Sequence, residues 1–329
     1  MRIFSLLLLA LLLSAWYYPK APASLSVGIL YQSADGGANW QDISQELPGN
    51  LQVSCVSALG AEIFVGTGNG YVFHSLLRGP WKQEYVGGAI PEQQAGMISG
   101  VFSGATGTYA CVAQGGLYRQ IPGTHLWNAL FKNLKDKVVH AVIENADRHL
   151  LIACPSGIYS SRDGGTTWKQ TYALGWVRSL ASSGGALVAG SAQGLLRSTD
   201  GGEHWTCVLA DEQASFKVSA FDGIFAAVRE AGPWRTATDA TIKRAFVSAD
   251  GGKTWQRIDT GLKPGQYMLD LEQAGNYLFC SHKAGISRSA DKGKTWELVR
   301  SAEGLGENVR FELVTSGKLV FAWKLMPGC

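Results

Sequence analysis

The sequence predicts an all-β fold: a ring of seven four-stranded antiparallel blades, a seven-bladed β-propeller. Three observations carry it. An eight-residue frame, Ser-x-Asp-x-Gly-x-x-Trp, recurs five times, at Ser33–Trp40, Ser161–Trp168, Ser198–Trp205, Ser248–Trp255 and Ser289–Trp296. Seven tryptophans, Trp40, Trp81, Trp127, Trp168, Trp205, Trp255 and Trp296, follow one another at gaps of 41, 46, 41, 37, 50 and 41 residues. Each interval holds the same series of short strand-like segments, and periods of this length with four strands are the signature of propeller blades.

The recurring frame is a turn with a mechanism. Asp35, Asp163, Asp200, Asp250 and Asp291 are each placed to accept the backbone N–H groups that follow. The glycine supplies a tightly turned residue, and the tryptophan buries its ring on the next strand. These aspartates are expected to fold turns rather than to bind a ligand. The stretches before Trp81 (His74-Ser-Leu-Leu-Arg-Gly-Pro) and Trp127 (Gln120-Ile-Pro-Gly-Thr-His-Leu) lack the Asp but keep the neighbouring strands, so they read as degenerate copies.

Within a unit, segments such as Val53–Leu59, Glu62–Thr67, Gly70–His74 and Trp81–Tyr85 supply the four strands in order. The ends of the chain divide one unit between them: Ser24–Ile43 holds only the last two strands, and Val309–Trp323 only the first two. Pairing them closes the ring and removes the free edges that a linear array would expose.

Ahead of the ring, Arg2 precedes an apolar run from Ile3 to Ala15, with Ala21-Pro-Ala23 offering small residues for cleavage. The run is short for a membrane span. It reads as a secretory signal over residues 1–23, leaving 24–329 as a single domain of a secreted or periplasmic protein, with membrane attachment only if the segment is retained. A monomer is expected. The formal charge of +3 falls to +1 without Arg2 and Lys20, which points away from nucleic acid. Six scattered cysteines show no disulfide framework, and Cys111, Cys154 and Cys280 sit in apolar strand patterns as small hydrophobes. The six histidines show no metal-ligand spacing and no phosphate-cradling loop is present, so neither metal nor cofactor is expected.

The repeated frame resembles the Asp-box, or BNR, repeat of sialidase-like propellers, over essentially the whole chain after residue 23. The resemblance implies the fold and places the box between the third and fourth strands, at the outer rim. It leaves activity open, because the same repeat occurs in sialidases, tandem-propeller xyloglucan hydrolases, sortilin-type receptors and photosystem II assembly factors. The string closest to a sialidase arginine motif, Tyr118-Arg119-Gln120-Ile121-Pro122, carries an inserted Gln and falls at a degenerate turn.

Function is sought on the face opposite the Asp-box turns. There the unit ending at Trp255 separates its second and third strands by residues 229–243, carrying Arg229, Glu230, Trp234, Arg235, Asp239 and Lys243. This mix of aromatic and charged groups suits an interface. The connection from Val86 to Met97, with Glu92, Gln93 and Gln94, lies on the same face, and Trp176 stands just before a first strand at its rim. The expectation is an exported, non-catalytic propeller that binds a protein or a glycan through this face. A glycoside hydrolase using loop carboxylates is the alternative, and it requires carboxylates of perturbed acidity in a deep pocket.

Overall fold

The computed structural model describes residues 28–325 except 77–78, 88–95, 131–133, 135, 137, 212–213, 222, 232–243, 264–265 and 306–308. Seven four-stranded antiparallel sheets are arranged in a ring. Blade I comprises Val53–Leu59, Glu62–Thr67, Tyr71–Leu76 and Lys82–Tyr85; blade II comprises Ile98–Gly104, Gly107–Val112, Gly116–Gln120 and Trp127–Ala129. Blade III is built from Ala141–Glu144, Leu150–Cys154, Gly157–Ser161 and Lys169–Tyr172, and blade IV from Val177–Ser183, Ala186–Ser191, Gly194–Ser198 and Thr206–Ala210. Blade V takes Ala214–Phe221, Ile224–Ala231, Ala245–Ser248 and Gln256–Arg257, and blade VI takes Asp270–Ala274, Tyr277–His282, Gly285–Ser289 and Glu297–Ser301.

Blade VII closes the ring as the sequence predicts. Arg310–Ser316 and Leu319–Leu325 supply its first two strands, and Leu30–Ser33 and Gln41–Asp42 its last two. The seam is antiparallel, Leu30 facing Trp323 and Ser33 facing Val320.

Period-two alternation makes the core. In the second strand of blade III, Leu150 and Ile152 pack towards blade II, while Leu151 and Ala153 pack towards blade IV. Ile63 and Val65 of blade I likewise join blade VII, and Phe64 joins blade II. These inner strands therefore serve two interfaces, and the core consists of seven apolar layers, one between each pair of neighbours. Full burial of each Val, Leu or Phe in these layers contributes roughly 1.5–3 kcal/mol.

The five boxes share one hydrogen-bond pattern. Ser161 Oγ donates to Asp163 Oδ1 (2.8 Å) and accepts the Gly165 N–H (2.8 Å), while Asp163 accepts the Thr167 N–H (2.8 Å) and hydroxyl (2.6 Å). The box glycines are left-handed, and a Cβ on Gly202 would stand 2.2 Å from Leu151 of the preceding blade. The glycine thus does two things: it turns the chain, and it lets the turn lie flat on its neighbour. Cys55, Cys111, Cys154, Cys207 and Cys280 are free thiols.

Where the box is lost, a buried carboxylate replaces it. Glu84, in the fourth strand of blade I, is 3% exposed. It accepts hydrogen bonds from Gln120 Nε2 (2.7 Å), His125 Nδ1 (2.8 Å) and Trp127 Nε1 (3.0 Å), all from the degenerate turn of blade II. His74 Nε2 of its own blade stands 3.3 Å away. Burial alone would raise the Glu84 pKa, but donation from His74, His125 and Trp127 outweighs it and holds the group at about 2.

Candidate functional site at the channel mouth

The first strand of every blade lies against the first strands of both neighbours, so these seven strands form the inner wall around the axis. They begin at the face opposite the Asp-box turns, here the loop face. Hydroxyls stitch them together: Ser54 donates to Ile98 O (2.6 Å), Ser99 to Val139 O (3.2 Å), Ser179 to Phe216 O (2.8 Å) and Ser219 to Leu271 O (3.0 Å).

The wall is electrically lopsided. The first strands of blades I and II read Val-Ser-Cys-Val-Ser-Ala-Leu and Ile-Ser-Gly-Val-Phe-Ser-Gly, whereas blades IV to VII bring Arg178, Lys217, Asp270, Glu272, Arg310 and Glu312. Asp270 is sealed, 1% exposed, and its Oδ2 accepts both Lys217 Nζ (2.8 Å) and the Leu313 N–H (2.9 Å), so one carboxylate ties blades V, VI and VII. Glu312 Oε2 stands 3.7 Å from the same ammonium and is itself 38% exposed. Burial opposes the charge on Lys217, but Asp270 and Glu312 together push its pKa well above the usual lysine range.

Glu272 is two residues deeper on the same strand as Asp270. Thr315 Oγ1 donates to it at 3.3 Å. Burial, reinforced by the Asp270 charge, pushes its pKa up to about 8, which favours the protonated form. Burial also raises Glu312, with Lys217 pulling the other way.

At the rim, Glu230 pairs with Arg178 at 2.9 Å, both partly exposed. His140 and Trp176 close the adjoining edge: the indole N–H donates to His140 Nε2 at 2.6 Å, with the rings edge to face. Burial, with Arg178 nearby, lowers the His140 pKa and keeps the ring neutral, its own proton on Nδ1.

These positions revise the expected site in one respect. Arg229 and Glu230 are not loop residues, because the second strand of blade V runs on to Ala231. Being adjacent in a strand, they point to opposite faces. Arg229 makes a two-pronged contact with Asp211 (2.6 and 3.2 Å) that fastens the connection between blades IV and V. Glu230 reaches the channel rim, as Trp176 does from the other side. Trp234, Arg235, Asp239 and Lys243 lie outside the described residues, as do Glu92, Gln93 and Gln94. Asp35, Asp163, Asp200, Asp250 and Asp291 all sit in box turns and accept backbone N–H groups. Sequence reasoning passed over Arg178, Lys217, Asp270, Glu272 and Glu312. The signal available was a charged residue in the first strand of five consecutive units, Glu144 of blade III included.

The BNR/Asp-box repeat family matches residues 246–257, the box of blade V. This protein is a seven-bladed β-propeller that carries Asp-box turns. No curated protein sequence matches it. Among solved structures, the propeller is similar to the GH74 xyloglucanase from Xanthomonas campestris, at 14% identity and a TM-score of 0.64, covering 84% of this chain and 52% of that one. It is similar to YCF48 bound to D1 peptide, at 14% identity and a TM-score of 0.63, covering 86% and 95%. A catalytically inactive virginiamycin B lyase from Staphylococcus aureus gives 10% identity and a TM-score of 0.61, covering 86% and 97%. The Asp-box propeller spans about half the length of the xyloglucanase. At these identities the likeness is one of fold, and the fold hosts hydrolase, lyase and peptide-bound proteins alike.

Proposed function

We propose that this propeller is a non-catalytic binding protein that captures a polypeptide partner at the channel mouth by taking a basic side chain against Glu230, Glu272 and Glu312. One observation carries the reading: the wall holds four carboxyl groups against three cations, Arg178, Lys217 and Arg310, and burial raises Glu272 and Glu312 above their ordinary range. An entering ammonium or guanidinium would relieve that mutual repulsion. A propeller of similar fold holds a peptide in YCF48 bound to D1 peptide. Binding should release a proton from Glu272, because a nearby cation favours its ionised form.

The test is a peptide array followed by calorimetry in two buffers of different ionisation heat. Enrichment of Lys- or Arg-bearing peptides, with a buffer-dependent enthalpy that vanishes in Glu272→Gln, supports the assignment. Indifference to basic residues, or affinity unchanged in the Glu230→Gln/Glu312→Gln variant, refutes it.

A second reading, glycoside hydrolysis, has its own observation: the protonated Glu272 near the ion-paired Asp270 resembles an acid and a base held apart in acidity. Turnover of fluorogenic glycosides, lost in Glu272→Gln, would favour it over binding. We further propose that residues 1–23 direct export. Leu30 begins the third strand of blade VII at the loop face, so a retained anchor would turn the channel mouth towards the membrane. N-terminal sequencing of the exported protein decides between cleavage and retention.

A further inference from the structure

Away from the channel, a cavity of about 320 Å³ opens at the loop-face rim of blade I. It is lined by Pro48, Asn50, Leu51, Gln52, Asn69, Tyr71, Phe73 and Gln83. That volume falls at the lower end of the ~300–1,000 Å³ range of small-ligand pockets. Its described lining contains four carboxamides, two aromatic rings and no charged side chain. Two other cavities differ: one at the seam of blades VII and I includes Asp42 and Glu46, and one beside the blade VII box includes Asp35 and Lys318.

Backbone hydrogen bonds brace the turns that carry the carboxamides. The turn before blade I is fixed by Leu51 N–H donating to Pro48 O (3.0 Å), and Gly68 N–H donates to Gln52 O (3.1 Å). A Cβ on Gly68 would meet Gln52 Oε1 at 3.2 Å, so the absence of a side chain there lets the Gln52 amide lie across the turn. Thr67 Oγ1 lies 2.7 Å from Asn69 Oδ1 and accepts the Tyr71 N–H at 3.0 Å, so one hydroxyl ties the Asn69 amide to the turn before Tyr71. Tyr71 packs against Tyr85 with ring centroids 5.3 Å apart, giving a braced aromatic surface beside the amides.

We infer that this cavity is a binding site for a neutral saccharide. A carboxamide presents one acceptor and two donors in a plane, which matches adjacent sugar hydroxyls, and a tyrosine ring matches the apolar C–H face of a pyranose. Phosphate, carboxylate and ammonium ligands find no counter-charge among the described lining residues. The site is separate from the channel and does not depend on the polypeptide reading.

The test is calorimetry and saturation-transfer NMR on the intact protein with cellotetraose, maltotetraose, mannotetraose and triacetylchitotriose, and with sialyllactose as the acidic control. At least one neutral sugar should bind at about 1 mM or tighter. Gln52→Ala and Gln83→Ala should each weaken it by up to about tenfold, the scale of one hydrogen bond. Both residues are exposed, so the variants should melt as the parent does. Glu312→Gln should leave sugar binding unchanged, which keeps this result separate from the channel test. Failure of all four neutral sugars, equal binding of sialyllactose, or affinity that survives the combined Gln52→Ala/Gln83→Ala variant would each overturn the assignment.

Discussion

Replacing Glu84 by Gln tests whether a single buried carboxylate holds together the two blades that lack the Asp box. Its Oε2 receives Gln120 and Trp127, and its Oε1 receives His125. Whichever way a glutamine amide is turned, its NH2 group faces at least one of these donors and leaves it unsatisfied. The carboxyl is held at about 2 against an ordinary 4.5, a displacement worth about 3 kcal/mol at neutral pH. The sign follows from the lowered pKa: the contribution is complete above about pH 4.5 and is lost as the pH falls towards 2. The raised pKa of His74 acts in the opposite sense, its contribution fading as the pH rises through the folded-state value. Urea unfolding of Glu84→Gln at pH 7 should show a loss of about 3 kcal/mol, with a shallower decline between pH 5 and pH 3 than the parent shows. A variant within about 0.5 kcal/mol of the parent at pH 7 would refute the reasoning.

Other expectations follow from the same geometry. Lys217→Met leaves Asp270 buried with only the Leu271 and Leu313 N–H groups as donors and should destabilise the fold by about 3 kcal/mol in urea unfolding, since a buried pair is costly to halve. Glu272→Gln should do the reverse with a pH signature: because the folded pKa is raised, the parent loses stability as the pH climbs from about 4.5 to about 8, and the variant should be indistinguishable near pH 4 but more stable at pH 8.5 by thermal melting. In the blade III box, Ser161→Ala removes the acceptor for Gly165 N–H and the donor to Asp163, a loss of about 1 kcal/mol visible as a lower urea midpoint.

The ring, its closure and the box turns were legible because they rest on local patterns: period-two strands, a turn frame and a split unit at the two ends. Arg229 and Glu230 read as loop because the apolar alternation stops at Val228; the strand continues because Asp211 and Arg178 meet their charges at the rim. The channel cluster was hidden for a different reason. Lys217, Asp270 and Glu312 lie in three separate units, and a charge in one strand looks solvent-facing until the ring turns those strands towards a common axis. Glu84 has the same character, since its neighbours in Trp81-Lys-Gln-Glu-Tyr say nothing of the donors arriving from blade II. The partner of Trp176, His140, 36 positions earlier, was not foreseen, because the two lie in different units.

The seam in blade VII has a consequence for biogenesis. Leu30–Ser33 pairs locally with Gln41–Asp42, but its other edge, where Leu30 faces Trp323, stays open until Leu319–Leu325 has been made and delivered. Contacts so remote in sequence form slowly. Every nascent intermediate therefore carries two unsatisfied sheet borders, and maturation should show a late, unimolecular step that chaperones engaging extended strands would delay.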